Sequence, residues 1–169
     1  MTWSNRYKLV IAIYLNSRGF AFVLFEGPLA PRDWSIVEAR GDKREKIVAR
    51  VNSLFARYKP HVVVLQDMSQ AGTHRPHRIR SLNEAITNVA ERYGLPTAFV
   101  SRSEVRQRFA YLRSVTKDTI AAAIAENIPA FKRFLPPPRK PWKSEDARMG
   151  LFDAAALALT FFNAHGQTP

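Results

Sequence analysis

The chain has 169 residues, with 26 Lys and Arg against 14 Asp and Glu, so its formal net charge is +12 at pH 7. This length suits one domain, residues 1–169, with a sizeable core. Because the sequence contains no cysteine, disulfide scaffolds, Cys-ligated zinc sites and thiol catalysis are excluded. Its apolar runs are too short for a membrane span, and we expect no secretion signal and a cytoplasmic location.

The first half of the chain combines apolar strands with one helix. The pattern predicts three strands in a meander, over residues 7–15, 20–25 and 34–39. A capping sequence at Asp42 then starts a helix whose apolar residues recur at helical spacing as far as Tyr58. A further apolar strand over 61–65 makes this helix the crossover of a parallel β-α-β unit.

The second half is mostly helical. After a loop over 70–78, the pattern predicts a helix over 79–93, a strand over 97–100, a helix from Ser103 to Leu112, a helix over 117–127 and a final helix capped by Ser144. A Pro-rich basic loop over 129–143 precedes the final helix. The element order β-β-β-α-β-α-β-α-α-α predicts an α/β fold, with helices packed on a mixed five-stranded sheet.

The basic residues fall into groups along the chain. An excess of positive charge is typical of proteins that bind a polyanion, and Arg in particular suits phosphate oxygens. The candidate nucleic-acid-binding residues are Arg18, Arg75, Arg78, Arg80, Arg102, Arg106, Arg108, Arg113, Lys117, Lys140 and Lys143. The helices lack the Lys-rich amphipathic faces of membrane-surface proteins, so we expect no membrane partner.

Four segments in order resemble the RuvC-type Holliday-junction resolvases of the ribonuclease-H-like superfamily. They are the strand and turn at 11–19, the strand end at 62–67, the pair of segments 103–106 and 116–120, and the Ala-rich helix at 153–159. The resemblance spans residues 8–162. It implies a ribonuclease-H-like sheet, a DNA partner in preference to RNA, a homodimer, and hydrolysis that depends on Mg²⁺ or Mn²⁺ held by four carboxylates.

The departures from the family pattern fall on the catalytic positions. Tyr14 stands where the resemblance places an Asp, and Gln66 stands where it places a Glu. Of the closing pair of acids only Asp153 remains, because the other position is Gly150 or Ala156. Neutral ligands hold Mg²⁺ weakly, so the sequence favours a nucleic-acid-binding domain that lacks the nuclease activity of the family.

Two alternatives stay open. In the first, a rearranged site makes the protein an active Mg²⁺-dependent structure-specific endonuclease, with carboxylates from Asp67, Asp146 and Asp153 and neutral oxygens from Gln66 and Asn16. Asp67 needs a bulge to join this set, because a shift of one residue turns a side chain to the opposite face of its strand. In the second, the chain is a scaffold or interaction subunit that reuses the fold.

Overall fold

The computed structural model describes residues 9–69 and 75–165, so residues 70–74 of the predicted loop lie outside the described residues. Five strands form the sheet: β1 (Val10–Leu15), β2 (Gly19–Phe25), β3 (Pro31–Glu38), β4 (Val62–Gln66) and β5 (Thr97–Val100). Five α-helices pack on it: α1 (Lys43–Tyr58), α2 (His77–Arg92), α3 (Arg102–Arg108), α4 (Lys117–Asn127) and α5 (Met149–Ala164). A 3₁₀-helix over Pro129–Phe134 follows α4.

The sheet is mixed, as the sequence predicted. Its strand order is β3-β2-β1-β4-β5. The pairs β1–β2 and β2–β3 are antiparallel, whereas β4 pairs in parallel with both β1 and β5. The carboxyl ends of β1 and β4 therefore point toward the same edge of the sheet, and this edge positions the candidate site.

Helices cover both faces of the sheet. On one face, alternate strand residues such as Ile11, Ile13 and Leu65 pack with the apolar stripes of α1 and α2. On the other, Val10, Ala12 and Val64 pack with α4 and α5. Helix α5 is buried along nearly its whole length and contacts β1, β2 and α4. No helix within residues 9–69 or 75–165 is long and apolar enough to cross a membrane.

Three predicted helix starts are wrong. Helix α2 begins at His77, two residues before the predicted start at residue 79. Helix α3 is capped by Ser101 rather than Ser103, because the Ser101 hydroxyl accepts from the Glu104 N–H and the Glu104 side chain accepts from the Ser101 N–H. It also ends at Arg108, before the predicted Leu112. Helix α5 begins at Met149, because residues 144–146 have no regular structure and Asp146 accepts from the Arg148 N–H in the turn that precedes the helix.

Candidate functional site

Three residues at the positions singled out in the sequence meet on one side of the sheet. Tyr14 in β1, Gln66 at the end of β4 and Asp153 in α5 line the same cavity of about 330 Å³, which we call the central cavity. The parallel pairing of β1 with β4 brings Tyr14 and Gln66 together, and α5 packs across both strands. Among the described residues that line this cavity, Asp153 is the sole acid.

Lys117 holds the Asp153 carboxylate. Its ammonium donates to Asp153 Oδ2 at 3.3 Å and to Glu145 Oε1 at 2.9 Å. The Asp153 side chain is only 13% exposed, and burial raises its pKa to about 6 despite the opposing attraction of Lys117. Burial alone would lower the pKa of Lys117, but Asp153, Tyr14 and Glu145 together outweigh burial and raise it. Lys117 is therefore a permanent cation inside the carboxylate cluster.

Tyr14 is enclosed by cations. The Arg75 guanidinium lies 5.3 Å from the centre of the Tyr14 ring and donates to its hydroxyl at 3.4 Å, while the Lys117 ammonium lies 5.4 Å from the ring centre. Burial, followed by the Asp153 charge, raises the pKa of Tyr14 above its ordinary value of 10.0. The phenol is thus neutral at physiological pH and supplies no negative charge to a metal ion.

Gln66 has a polar atom without a partner. The residue is 8% exposed, and its Oε1 atom is buried and accepts no hydrogen bond from any described residue. The backbone is fixed separately, because Asn83 Nδ2 donates to the Gln66 carbonyl at 3.2 Å. A buried amide oxygen left unpaired costs about 1–3 kcal/mol, so Gln66 is an unsatisfied acceptor at the site.

The structure does not bring Asp67 and Asp146 to Asp153. Asp67 forms a turn, in which its Oδ1 accepts from the N–H and hydroxyl of Ser69 at 2.9 and 2.6 Å. Asp146 pairs with Arg148 at 2.8 Å, and the hydrogen bond from Arg148 lowers its pKa to about 2. Asp146 does not lie on the helix that carries Asp153, because it precedes α5.

The donor set does not fit a pair of divalent cations. Within residues 9–69 and 75–165, no three His, Asp or Glu side chains are grouped so that they could hold a metal ion. The two acids that contact Lys117, Asp153 and Glu145, already share its ammonium group. Gln66 supplies one neutral oxygen, whereas Tyr14 supplies a neutral phenol.

The predicted basic residues fall into three groups: those that line the central cavity, those that line a second cavity, and those that line neither. Arg75, Arg102, Arg106 and Lys117 line the central cavity. Arg18, Lys140 and Lys143 line a second cavity of about 600 Å³ beside Pro136–Pro138, which Lys117 also reaches. The members that line neither cavity are Arg78, Arg80, Arg108 and Arg113.

Sequence reasoning missed the role of Glu145 at the site. Its position directly after Ser144 suggested an acid in the first turn of a helix, where it would complement the helix dipole. In the structure Glu145 instead reaches Lys117 from the turn before α5. The contact joins residues 28 positions apart in the sequence, so no local pattern signals it.

Comparisons with known proteins agree with this architecture. No protein-family model and no curated protein matches the sequence. Thermus thermophilus RuvC in complex with a Holliday junction substrate aligns with a TM-score of 0.67 at 18% identity, covering 95% of this chain and 96% of that one. Another Thermus thermophilus RuvC structure gives 0.67 at 20% identity, covering 94% and 97%.

A eukaryotic structure shares the fold as well. The yeast mitochondrial Holliday junction resolvase Ydc2 aligns with a TM-score of 0.57 at 12% identity, over 96% of this chain and 80% of that one. At these identities the comparisons show a similar fold only. The chemistry of the site is therefore argued from the residues described above. The predicted fold class is confirmed: the chain has the RuvC-like form of the ribonuclease-H-like fold.

Proposed function

We propose that the protein is a RuvC-fold domain that binds branched or duplex DNA, in preference to RNA, through phosphate contacts and does not hydrolyse it. The observation that carries the proposal is the Lys117 ammonium, which lies between Asp153 and Glu145. A cation that belongs to the chain neutralises the carboxylates that a divalent ion would need. Binding to phosphate then requires no metal, and metal-dependent hydrolysis loses its ligands.

The charge and its placement support nucleic acid as the partner. The formal net charge is +12, and Arg102 and Arg106 are exposed at the margin of the central cavity. The similar Thermus thermophilus RuvC was solved with a Holliday junction substrate, which supports branched DNA as the first ligand to test. A homodimer and a single domain over residues 1–169 are further parts of the proposal.

Binding to a four-way junction and to duplex DNA, measured by fluorescence anisotropy, tests the proposal. Affinity should fall by at least about tenfold between about 50 and 200 mM salt, because each phosphate contact releases counterions. It should not fall when EDTA replaces Mg²⁺. Arg102→Ala and Arg106→Ala should each weaken binding and reduce the salt slope by about 1.

Arg50→Ala is the matched control for these variants. Arg50 is an exposed residue of α1, and α1 packs on the opposite face of the sheet, so its loss should leave the affinity nearly unchanged. Binding that is insensitive to salt would contradict the proposal. So would a stable protein partner that abolishes binding to DNA, as the scaffold alternative expects.

Cleavage assays separate binding from hydrolysis. Labelled junctions and flaps incubated with the protein and Mg²⁺ or Mn²⁺ should remain intact. Cleavage that Asp153→Asn abolishes would overturn the proposal in favour of an active nuclease. Cleavage that Asp153→Asn leaves unchanged would indicate a contaminating enzyme, and the proposed lack of hydrolysis would stand.

A further inference from the structure

The residues that line the central cavity differ between its buried part and its exposed margin. The buried part includes the apolar residues Ile120, Phe152, Ala156 and Leu157 beside the polar Tyr14, Gln66 and Asp153, whereas the exposed part carries Arg102, Arg106 and Thr116. Its volume of about 330 Å³ lies within the usual range of ligand pockets, about 300–1,000 Å³. A phosphate group gains nothing from apolar walls, so phosphate binding does not account for this part of the cavity.

The charges inside the cavity are mixed, because Arg75 and Lys117 lie beside Tyr14 and the Asp153 carboxylate lies beside Lys117. Asp153 is ionised above a pKa of about 6, and the nearest cation, Lys117, already neutralises Asp153 and Glu145. An anion that enters beside Asp153 meets like charge in a poorly solvated setting. A neutral ring does not meet this repulsion.

The Gln66 side chain adds a specific polar group to this wall. An amide carries a donor and an acceptor side by side, which complements the paired acceptor and donor atoms along the edge of a nucleobase. Gln66 lines the cavity, and its Oε1 atom is buried and has no partner among the described residues. It is therefore ready to accept from an N–H of a bound ring.

We propose that the central cavity receives an unpaired nucleobase from the bound strand, with its edge on the Gln66 amide and its ring against the apolar wall. The inference rests on the proposed function and specifies its ligand. The phosphates that flank the base lie at the exposed margin, where Arg102 and Arg106 are available. Enzymes that extrude bases read them by the same combination of edge hydrogen bonds and apolar contact.

The experiment compares three DNA ligands by anisotropy at one salt concentration: a perfect duplex, the same duplex with one unpaired base, and that duplex with an abasic nucleotide at the unpaired position. We expect the duplex with the unpaired base to bind about tenfold more tightly than the other two ligands. This factor lies in the lower part of the range of binding energies for a base that stacks on protein. A 2-aminopurine at the unpaired position should change its fluorescence on binding.

Gln66→Leu should abolish most of this preference, measured as the ratio of the affinities for the duplex with the unpaired base and the perfect duplex. Val105→Phe provides a second test, because Val105 is a half-buried wall residue and the larger ring fills the cavity without altering charge. Gln107→Leu is the matched control, since Gln107 is exposed on α3 and does not line the central cavity. It should retain the full preference.

Failure of the inference is distinct from failure of the proposed function. Salt-dependent binding to all three DNAs with equal affinity would overturn the nucleobase pocket and leave DNA binding intact, whereas no binding to any DNA would overturn both. Competition with free nucleoside monophosphates identifies the source of the base. If they bind as tightly as the DNA that carries an unpaired base, the assignment to a strand is wrong.

Discussion

The Lys117 ammonium lies 3.3 Å from Asp153 Oδ2 and thereby links the first residue of α4 to the second turn of α5. The two helices pack together over the same face of the sheet. Because Asp153 is only 13% exposed, its carboxylate depends on this contact for neutralisation. The pair is therefore a structural element of the fold as well as the centre of the candidate site.

Removing the ammonium should destabilise the protein. In Lys117→Met the Asp153 carboxylate loses its partner and remains mostly buried, so we expect a loss of about 2 kcal/mol in the free energy of unfolding. Urea denaturation at neutral pH measures this loss. Adding Asp153→Asn to Lys117→Met should recover part of it, because the unpaired charge is then gone.

Lys143→Met is the control for this substitution. Lys143 is exposed and forms no ion pair with a described residue, so we expect a change below about 0.5 kcal/mol. Equal effects of Lys117→Met and Lys143→Met would show that the Lys117 contact does not stabilise the fold.

The stability of the wild type relative to Asp153→Asn should decrease as the pH rises. The pKa of Asp153 is raised from 3.8 to about 6, so between these values the folded state binds more protons than the unfolded state. The contribution of Asp153 is then greatest below the unfolded pKa and is lost as the pH rises through about 6. The difference between the two proteins should shift by at most about 3 kcal/mol between about pH 4 and pH 7.

Urea denaturation of both proteins across this range measures the shift, and comparing the two cancels the titration of other groups. A salt bridge that kept the pKa of Asp153 below its ordinary value would give the opposite slope. Stability of the wild type that increases with pH relative to Asp153→Asn is thus the contradicting result.

The sequence was sufficient for the fold because the patterns that specify it are local. Apolar runs predicted β1 and β4, and the helical spacing of apolar residues predicted α1 and α2. The order of these elements then distinguished the antiparallel from the parallel strands. The start of α5 was misplaced for a physical reason. Ser144 followed by Glu145 and Asp146 has the composition of a helix start, but Lys117 and Arg148 draw both acids into contacts outside a helix.

The sequence predicted which residues form the candidate site but not how Lys117 pairs with its acids. The convergence of Tyr14, Gln66 and Asp153 follows from the resemblance of each segment to its family counterpart. The pairing of Lys117 with Asp153 and Glu145 depends on how α4 packs against α5, and tertiary contacts of this kind leave no spacing signal. Asp67 directly follows β4 and accepts from Ser69 in a turn, a common arrangement for an acid at the end of a strand.

Gly19 should tolerate no side chain. A Cβ atom at this position would lie 2.0 Å from the Val37 carbonyl oxygen, and this oxygen belongs to β3, which pairs with β2 from Gly19 onward. Gly19→Ala should therefore cost about 2 kcal/mol or more in the free energy of unfolding, measured by urea denaturation. Gly27→Ala is the control, because nothing lies within 4 Å of a Cβ there. Similar effects of the two substitutions would contradict the close pairing of β2 with β3.

Placing carboxylates at positions 14 and 66 should create a metal site. With Tyr14→Asp and Gln66→Glu, the central cavity would have three acids, of which Asp153 is the third. Carboxylates are the ligands that Mg²⁺ and Mn²⁺ prefer. We expect the double variant to bind Mn²⁺ at least about tenfold more tightly than the wild type, measured from the loss of the free Mn²⁺ signal in electron paramagnetic resonance. Gln107→Glu combined with Tyr111→Asp makes the same chemical changes at exposed positions outside the cavity. If that control, or the wild type, binds Mn²⁺ equally well, loss of carboxylates at Tyr14 and Gln66 is not what separates this site from a metal centre.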